Sequence, residues 1–391
     1  MSEESLLQQL LEIEKSGSYP FHMPGHKRNA AGFASRTLSG ALRIDVTETP
    51  ATDDLYKAEG ILKDAQARAN ALYRAGCGTA VCEDMETFFL VGGSSAGVMS
   101  AVCTAAGKDS EIIALSGVHH SFDHAAELMR SKVVWVTPPK AKDAEGNPCD
   151  FSGVLPPEEI AKAIEAHPQA KAVFVTSPSY EGVIQDVKAI ADIAHAHDLP
   201  LIVDEAHGAH FSLHPELPQS ALAQGADLVN HSIHKTLSGL TQTALLHVRG
   251  ERIDRKLLRH YLDVFQSSSP SYVLMASIDE AMKDIRRYGA VRFADLLSYK
   301  KEILSCGSAL KHLRIADERT VPDPCKIVLM LPEEIAAHTD GEALVARLRN
   351  EFQLEAERAE GRHVILILTP FETKEGIFRL TQALKSVDDS L

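Results

Sequence analysis

The sequence predicts an α/β protein in which a mainly parallel sheet forms a large domain, followed by a smaller α+β domain at the carboxyl end. Two observations support this prediction. From about residue 87, short apolar runs alternate with helical stretches, which is typical of parallel strands connected by helices. The chain has 391 residues, a length that exceeds one compact core and suits two domains.

The first 60 residues are predicted to form a short helix and an extended arm. Leucines recur at helical spacing between Leu6 and Leu11, which predicts an amphipathic helix over residues 3–15. Residues 16–60 are rich in Gly, Pro, Thr and Asp, a composition typical of irregular segments. A second helix is expected from about Gly60 to Tyr73, at the start of a large domain that spans residues 61–275.

The large domain contains seven apolar runs that we interpret as strands. They are TFFLVGG, EIIALS, KVVWVTP, KAVFVTSP, LPLIVDEA, ADLVNHS and TALLHV. Helical stretches between them include SAGVMSAVCTAAG, PEEIAKAIEAH and VKAIADIAHAHD. In such sheets ligands bind beyond the carboxyl ends of the strands, so we expect the functional residues there.

The small domain is expected over residues 276–391. It should begin with a long helix, broken once, that starts near residue 275. Two apolar strands, CKIVLML and HVILILTP, flank a helix near EALVARLRNEF, and a last helix is expected at FRLTQALKSV.

Charge and composition narrow the class of protein. The formal net charge of −14 argues against nucleic-acid and anionic-membrane partners, which require basic patches, and is compatible with a cationic substrate. The acidic N-terminus does not resemble a signal peptide, and no apolar run approaches the ~20 residues of a membrane span. We therefore expect a cytoplasmic protein. Its six cysteines are scattered, which predicts reduced thiols.

The first chemical motif is VGGSSAGVMSAV. Gly92 and Gly93 turn the chain after a strand, and Ser94 and Ser95 begin a helix. Free N–H groups, the helix dipole and two hydroxyls make this a candidate phosphate cradle. The alternative is a simple serine cap.

The second motif is SGVHHSFDHAA, which places His119 at or just beyond a strand end. A flat imidazole there is suited to stacking on an aromatic cofactor ring. Metal binding and helix capping are the alternatives.

The third motif is LPLIVDEAHGAHF, whose strand delivers Asp204 to its carboxyl end. A buried carboxylate there suits a ring N–H⁺ or a metal. The string DEAH also occurs in a helicase class, but that interpretation requires a phosphate loop, which this sequence lacks. A metal site is the remaining alternative, and its candidate ligands are Asp204, His207, His210, His231 and His234.

The fourth motif is ADLVNHSIHKTLSGLTQ, in which we expect Lys235 in a turn after a strand that ends at Asn230. A partly desolvated lysine loses proton affinity and becomes an amine nucleophile. Ser232 and His234 flank it as candidate phosphate donors. The alternative is a solvated loop lysine.

The order of these four motifs resembles that of pyridoxal 5'-phosphate (PLP) enzymes of the aspartate-aminotransferase fold, PLP-dependent transferase fold type I. Within that fold, the chain resembles the ornithine/lysine/arginine decarboxylases. The matching segments are FHMPGHKRN, DVTETPATDDLYKAEGIL, VGGSSAG, TSPSYEG, VDEAHGAHF, HSIHKTLSGLTQ and QSSSPSYVLMASID. They cover roughly residues 18–285. The family's His-Lys-Ser is His119-His120-Ser121 here.

The resemblance implies a role for each matched residue. Lys235 would carry PLP as a Schiff base, Asp204 would keep the pyridine nitrogen protonated, and His119 would stack on the ring. The implied phosphate ligands are Ser94, Ser95, Ser232 and His234. His207 would lie near the ring oxygen, and no metal is expected.

The implied reaction is decarboxylation of arginine, lysine or ornithine to the amine and carbon dioxide, as in polyamine biosynthesis. The implied assembly is a homodimer or a higher homo-oligomer, with the arm reaching the partner subunit. We expect a carboxylate at the pocket mouth to bind the substrate's distal cation, and the candidates are Asp53, Asp54, Glu181 and Glu372.

Two alternatives remain open. An aminotransferase or lyase of the same fold would need an arginine clamp on the substrate carboxylate, for which Arg358, Arg362 and Arg379 are candidates. A catalytically quiet PLP-binding protein is the other.

Overall fold

The amino-terminal segment contains the two predicted helices. A computed structural model describes residues 4–16, 19, 23–24, 26–29, 38–78 and 82–391. Its first elements are α1 (Leu6–Lys15), two 3-10 helices (Leu38–Arg43 and Leu55–Lys57) and α2 (Ile61–Cys77). Ser5 and Gln8 form a capping box that explains where α1 begins. Much of the predicted arm, including part of FHMPGHKRN, lies outside the described residues.

Thirteen strands and ten further helices are present in the described residues that follow. The strands are β1 (Glu86–Leu90), β2 (Glu111–Leu115), β3 (Lys132–Val136), β4 (Lys140–Lys142), β5 (Pro148–Ser152), β6 (Ala170–Thr176), β7 (Leu201–Asp204), β8 (Leu228–Ser232), β9 (Ala244–Val248), β10 (Arg314–Ile315), β11 (Lys326–Met330), β12 (Arg358–Glu360) and β13 (His363–Ile367). The helices are α3 (Gly93–Ala106), α4 (His120–Met129), α5 (Pro157–Ala166), α6 (Val187–Ala196), α7 (Ile233–Thr236), α8 (Arg255–Phe265), α9 (Tyr272–Gly307), α10 (Glu333–Ala336), α11 (Gly341–Phe352) and α12 (Lys374–Asp388).

The seven predicted strands form one sheet in the order β1-β9-β8-β7-β6-β2-β3. Only β9 runs antiparallel to the other six strands, so the prediction of a mainly parallel sheet is confirmed. Helices α3, α4 and α8 cover one face, and α2, α5, α6 and α9 cover the other. Every residue of β7 and β8 is buried, as expected for central strands covered on both faces.

Helix α9 is continuous over 36 residues, so the predicted break is wrong. It contains no proline, and its buried residues extend from Tyr272 to Ile303, so packing supports it along its length. Lys300 near its end is buried and donates to the carbonyls of Val321, Asp323 and Lys326 at 3.3, 2.7 and 2.9 Å. The helix thereby holds the loop that leads into β11.

A second, antiparallel sheet has the order β10-β11-β13-β12. Strands β11 and β13 were predicted, whereas β10, β12, the β4–β5 hairpin and α8 were not. The division at residues 60/61 and 275/276 stays a prediction, and α9 runs across the second of these boundaries.

Two other properties bear on the class of protein. None of the helices in the described part of the chain combines the length and apolar composition that a membrane crossing requires. All six cysteines are free thiols, and five of them are buried.

Candidate active site

A cavity of about 710 Å³ opens at the carboxyl ends of the parallel strands. All eight residues predicted to bind the cofactor line it, namely Ser94, Ser95, His119, Asp204, His207, Ser232, His234 and Lys235. The structure therefore brings these residues together, while the role of each stays a prediction.

Lys235 lies in α7, a single helical turn that directly follows β8. The strand extends to Ser232, two residues beyond the expected end, so the lysine is in a helix and not in a turn. Its Nζ is 3.1 Å from Nε2 of His207. Burial lowers the pKa of Lys235, against the attraction of the Asp204 carboxylate, which favours a nucleophilic amine.

Asp204 ends β7 and is 5% exposed. Its Oδ1 accepts hydrogen bonds from the backbone N–H of Ala206 at 3.2 Å and from Nδ2 of Asn230 at 3.1 Å. Asn230 is its register partner on β8. Sequence reasoning treated Asn230 only as a strand end and missed this contact.

The predicted phosphate cradle is the amino end of α3. Gly93 has a φ of +73°, a conformation that suits glycine, and the Ser94 and Ser232 hydroxyls are hydrogen-bonded to each other. Ser95 is exposed to the cavity. The side-chain oxygen of Gln266 accepts from the N–H of Val91 at 2.8 Å and so fixes the turn before the helix.

His119 is the N-cap of α4. Its Nδ1 accepts the backbone N–H of Ser121 at 3.2 Å, so the capping alternative is realised in the structure. Partial burial lowers the pKa of His119, while Asp204 acts in the opposite direction. The ring is exposed to the cavity, and stacking on a cofactor stays a prediction.

The two remaining predicted histidines have different environments. His234 donates from Nδ1 to the carbonyl of Thr243 at 2.9 Å. Buried His207 lies between two lysines, with Nδ1 2.8 Å from Nζ of Lys326. Lys326 belongs to the second sheet and was not predicted as a site residue.

The five candidate metal ligands have other partners. His231 lies 2.7 Å from Glu205, and His210 lies 3.0 Å from Asp323. His207 contacts lysines, His234 a carbonyl, and Asp204 an amide and a backbone N–H. These contacts do not favour the metal alternative at this position.

The second sheet forms the opposite wall of the cavity, and its contribution was largely missed. The lining residues from this wall are Arg358, Glu360 and His363. Tyr180 lies between the walls, 5.2 Å from Nζ of Lys326 and 5.4 Å from the Arg358 guanidinium, measured to the ring centre. A polar residue at the start of the apolar run CKIVLML was the available sequence signal for Lys326.

The candidate arginines are placed differently. Arg362 forms two hydrogen bonds with Asp150, at 2.8 and 2.9 Å, and Arg379 donates to backbone carbonyls. Arg358 lines the cavity and pairs with Glu360 at 2.9 Å. Only Arg358 of the three is therefore positioned to meet a ligand.

The four carboxylates that are candidates to bind the distal cation of the substrate also differ in their positions. Asp53 accepts backbone N–H groups from residues 54, 59, 60 and 62, and Asp54 caps the 3-10 helix at Leu55–Lys57. Glu372 accepts the N–H of Thr369 at 3.2 Å. Of the four candidates, Glu181 is the one that lines the cavity.

The chain is similar to proteins of known family. Residues 5–305 match the family model described as Orn/Lys/Arg decarboxylase, major domain. The chain is 30% identical to an arginine decarboxylase of Bacillus subtilis over 94% of this chain and 74% of that protein. It is 31% identical to the uncharacterized protein YaaO of the same organism, over 99% of this chain and 77% of that protein.

Solved structures show the same fold. The lysine decarboxylase LdcF of Francisella novicida superposes with a TM-score of 0.79 at 17% identity, over 98% of this chain. The chain spans 60% of the length of that enzyme. A ureidoglycine-glyoxylate aminotransferase of Bacillus subtilis superposes with a TM-score of 0.66 at 15% identity, over 84% of each chain. The architecture is that of PLP-dependent fold type I, and the chain belongs to the ornithine/lysine/arginine decarboxylase family.

Proposed function

We propose that this chain is a PLP-dependent decarboxylase of a basic amino acid. The observation that carries the proposal is that one cavity holds the half-buried amine of Lys235, the Asp204 carboxylate and a hydroxyl-bearing helix end. Family membership supports the reaction class.

The residues present fit PLP. The amino end of α3, with Ser94 beside Ser232, offers N–H groups and hydroxyls suited to a phosphate. Asp204 is a carboxylate suited to a pyridinium, and Lys235 is an amine suited to an aldehyde. When bound, PLP would supply a reactive aldehyde and a ring that accepts the electrons of the broken carbon–carboxylate bond.

The chain's own groups have separable tasks in this reaction. Asp204 would hold a proton on the ring nitrogen of bound PLP, and Asn230 orients that carboxylate. His119 would cover the bound group and limit the access of water. Lys235 would hold the cofactor and take up and return protons at its Nζ.

The proposal is tested with purified protein, PLP and a panel of amino acids. Carbon dioxide and an amine in equal amounts are expected with arginine, lysine or ornithine. A keto acid as product would indicate an aminotransferase, the alternative favoured by the position of Arg358. Absence of both products would favour a quiet binding protein. Borohydride reduction should fix PLP to the peptide that contains Lys235, and label on another lysine would contradict the assignment.

We propose further that Glu181 and Glu360 bind the distal cation of the substrate. Their carboxylate oxygens and a ring nitrogen of His363 lie within 4.8 Å of one another. Burial raises the pKa of Glu181, but the His363 ring 3.8 Å away and hydrogen bonds from its own backbone and from Ser179 outweigh burial and lower it overall. A charged carboxylate in a half-buried place suits a guanidinium or an ammonium.

The variants Glu181→Gln and Glu360→Gln test this assignment. A contact made equally in ground and transition states affects mainly KM. We expect KM for the basic amino acid to rise roughly tenfold with kcat little changed, the size of one lost charged hydrogen bond. Glu351→Gln, on the exposed face of α11, is the matched control. Unchanged KM in both variants, or a neutral amino acid as better substrate, would refute the assignment.

We propose at least a homodimer, as the family resemblance implies, with the segment over residues 16–60 reaching the partner. Light scattering measures the assembly. A fully active monomer would contradict the proposal.

A further inference from the structure

The cavity has a second lysine behind it to which the proposed function gives no role. Lys326 is 0% exposed, and its Nζ is 2.8 Å from Nδ1 of His207. Nε2 of the same ring is 3.1 Å from Nζ of Lys235. One imidazole therefore joins the two amines in a continuous chain of hydrogen bonds.

The chemistry of the two amines and the imidazole limits how many protons this chain of hydrogen bonds can hold. Burial, reinforced by the two lysines, keeps the pKa of His207 well below its usual range, so the ring is neutral. A neutral imidazole has one N–H and one acceptor nitrogen, and an ammonium only donates. Two ammonium groups would require acceptors at both nitrogens. Both hydrogen bonds therefore form together only when one of the lysines is a neutral amine.

Burial lowers the pKa of Lys326, as it lowers that of Lys235, and two features around Lys326 oppose this effect. Its Nζ lies 5.2 Å from the centre of the Tyr180 ring, and the buried Asp323 carboxylate attracts it. Lys235 is attracted by Asp204, which the proposed function pairs with a cationic ring. The other titratable groups that interact electrostatically with Lys235, Lys326 or His207 are Glu357, Cys325, His119, His210 and His234. Glu357 acts on both lysines and does not distinguish them.

We propose that Lys326 is a positioning residue that acts through His207 to keep the amine of Lys235 neutral and nucleophilic, an inference that rests on the proposed function for the use of that amine. With Lys326 as the ammonium, Nδ1 of His207 accepts, Nε2–H donates, and Nζ of Lys235 accepts with its lone pair. The site then needs no external base to activate the lysine.

The test measures the reactivity of Lys235 in cofactor-free protein. Trace acylation is carried out from mildly acidic to alkaline pH, and the Lys235 peptide is quantified by mass spectrometry. In Lys326→Met, the neighbouring charge is lost, so the profile should move to higher pH by about one unit. Reactivity at neutral pH should then fall about tenfold. Lys283→Met, a charge loss on the exposed side of α9, is the control and should leave the profile unchanged.

A second pair of variants covers the case in which Lys326→Met does not fold. Tyr180→Leu removes the ring that faces the Lys326 ammonium, while Tyr180→Phe retains it. The shared proton should move toward Lys235 in the leucine variant, with a several-fold loss of reactivity at neutral pH. An unmoved profile in Lys326→Met, or equal profiles for the two Tyr180 variants, would overturn the inference. The assay contains no amino-acid substrate, so its outcome is independent of whether the enzyme is a decarboxylase.

Discussion

Asn230 donates its side-chain amide to Asp204 across two neighbouring parallel strands, at 3.1 Å. The backbone N–H of Ala206 reaches the same oxygen of Asp204 at 3.2 Å. Because the hydrogen bonds found among the described residues both use Oδ1, Oδ2 is available to a ligand. The carboxylate is thus oriented before any cofactor binds.

Replacing Asp204 with Asn should lower kcat by several orders of magnitude while PLP still binds. The amide cannot stabilise a protonated ring nitrogen as a carboxylate does. Steady-state kinetics and the absorbance of bound cofactor measure the two effects separately. Asn230→Ala removes only the orienting contact and should cost less. Near-normal turnover of the Asp204 variant would show that this carboxylate is structural.

Gly97→Ala should destabilise the protein and disturb the Asp204 carboxylate through its contact with Asn230. A methyl group at Gly97 in α3 would overlap the side chains of Asn230 and Leu90. Overpacking of this kind costs about 1–3 kcal/mol. Chemical denaturation measures the loss, and Gly40→Ala, at an open position, should be close to neutral. Equal stabilities for the two variants would mean that α3 shifts freely to accommodate the methyl group.

The contribution of Glu205 to the stability of the protein should fall as pH rises from about 4.5 through about 8. Burial raises the pKa of this carboxyl from its ordinary 4.5 to about 8. The unfolded chain therefore ionises first and is favoured as protons become scarce. Denaturation at mildly acidic and alkaline pH measures the slope. In Glu205→Gln the contribution should disappear, and an identical slope in both proteins would contradict the assignment.

Asp279→Ala should destabilise the protein by about 3–5 kcal/mol, since it removes a buried carboxylate that pairs with a mostly buried arginine. Asp279 is 1% exposed and accepts from Arg68 at 2.9 and 3.0 Å and from the N–H of Leu6 at 2.7 Å. It thereby joins α1, α2 and α9. Asp389→Ala, in an exposed pair with Lys311, is the control and should change stability by less than about 1 kcal/mol. Similar losses in both variants would argue against this reasoning.

The residues at the carboxyl ends of the parallel strands were predictable because strand and helix patterns locate those ends. This reasoning placed Asp204 and Lys235 in one cavity without knowledge of the structure. It missed Lys326 and His363 because their approach depends on how the second sheet packs against the first, which no local pattern encodes.

The strands and the helix that were not predicted from the sequence were missed for different reasons. Strands β4 and β5 are only three and five residues long, so their alternation of exposed and buried residues is too brief to identify a strand from the sequence. Helix α8 was within reach of sequence reasoning, since its buried Leu258 and Leu262 recur at helical spacing after the Asp254 cap.

The continuity of α9 has a mechanical consequence. At 36 residues it is about 54 Å long, so a tilt of one degree at Tyr272 would displace its far end by about 1 Å. The helix is anchored at both ends, by the Tyr272 hydroxyl on the carbonyl of Asp53 at 2.6 Å and by Lys300 on three carbonyls. These two anchors therefore fix the position of the loop that leads into β11, and of Lys326 at the start of that strand, relative to the amino-terminal segment.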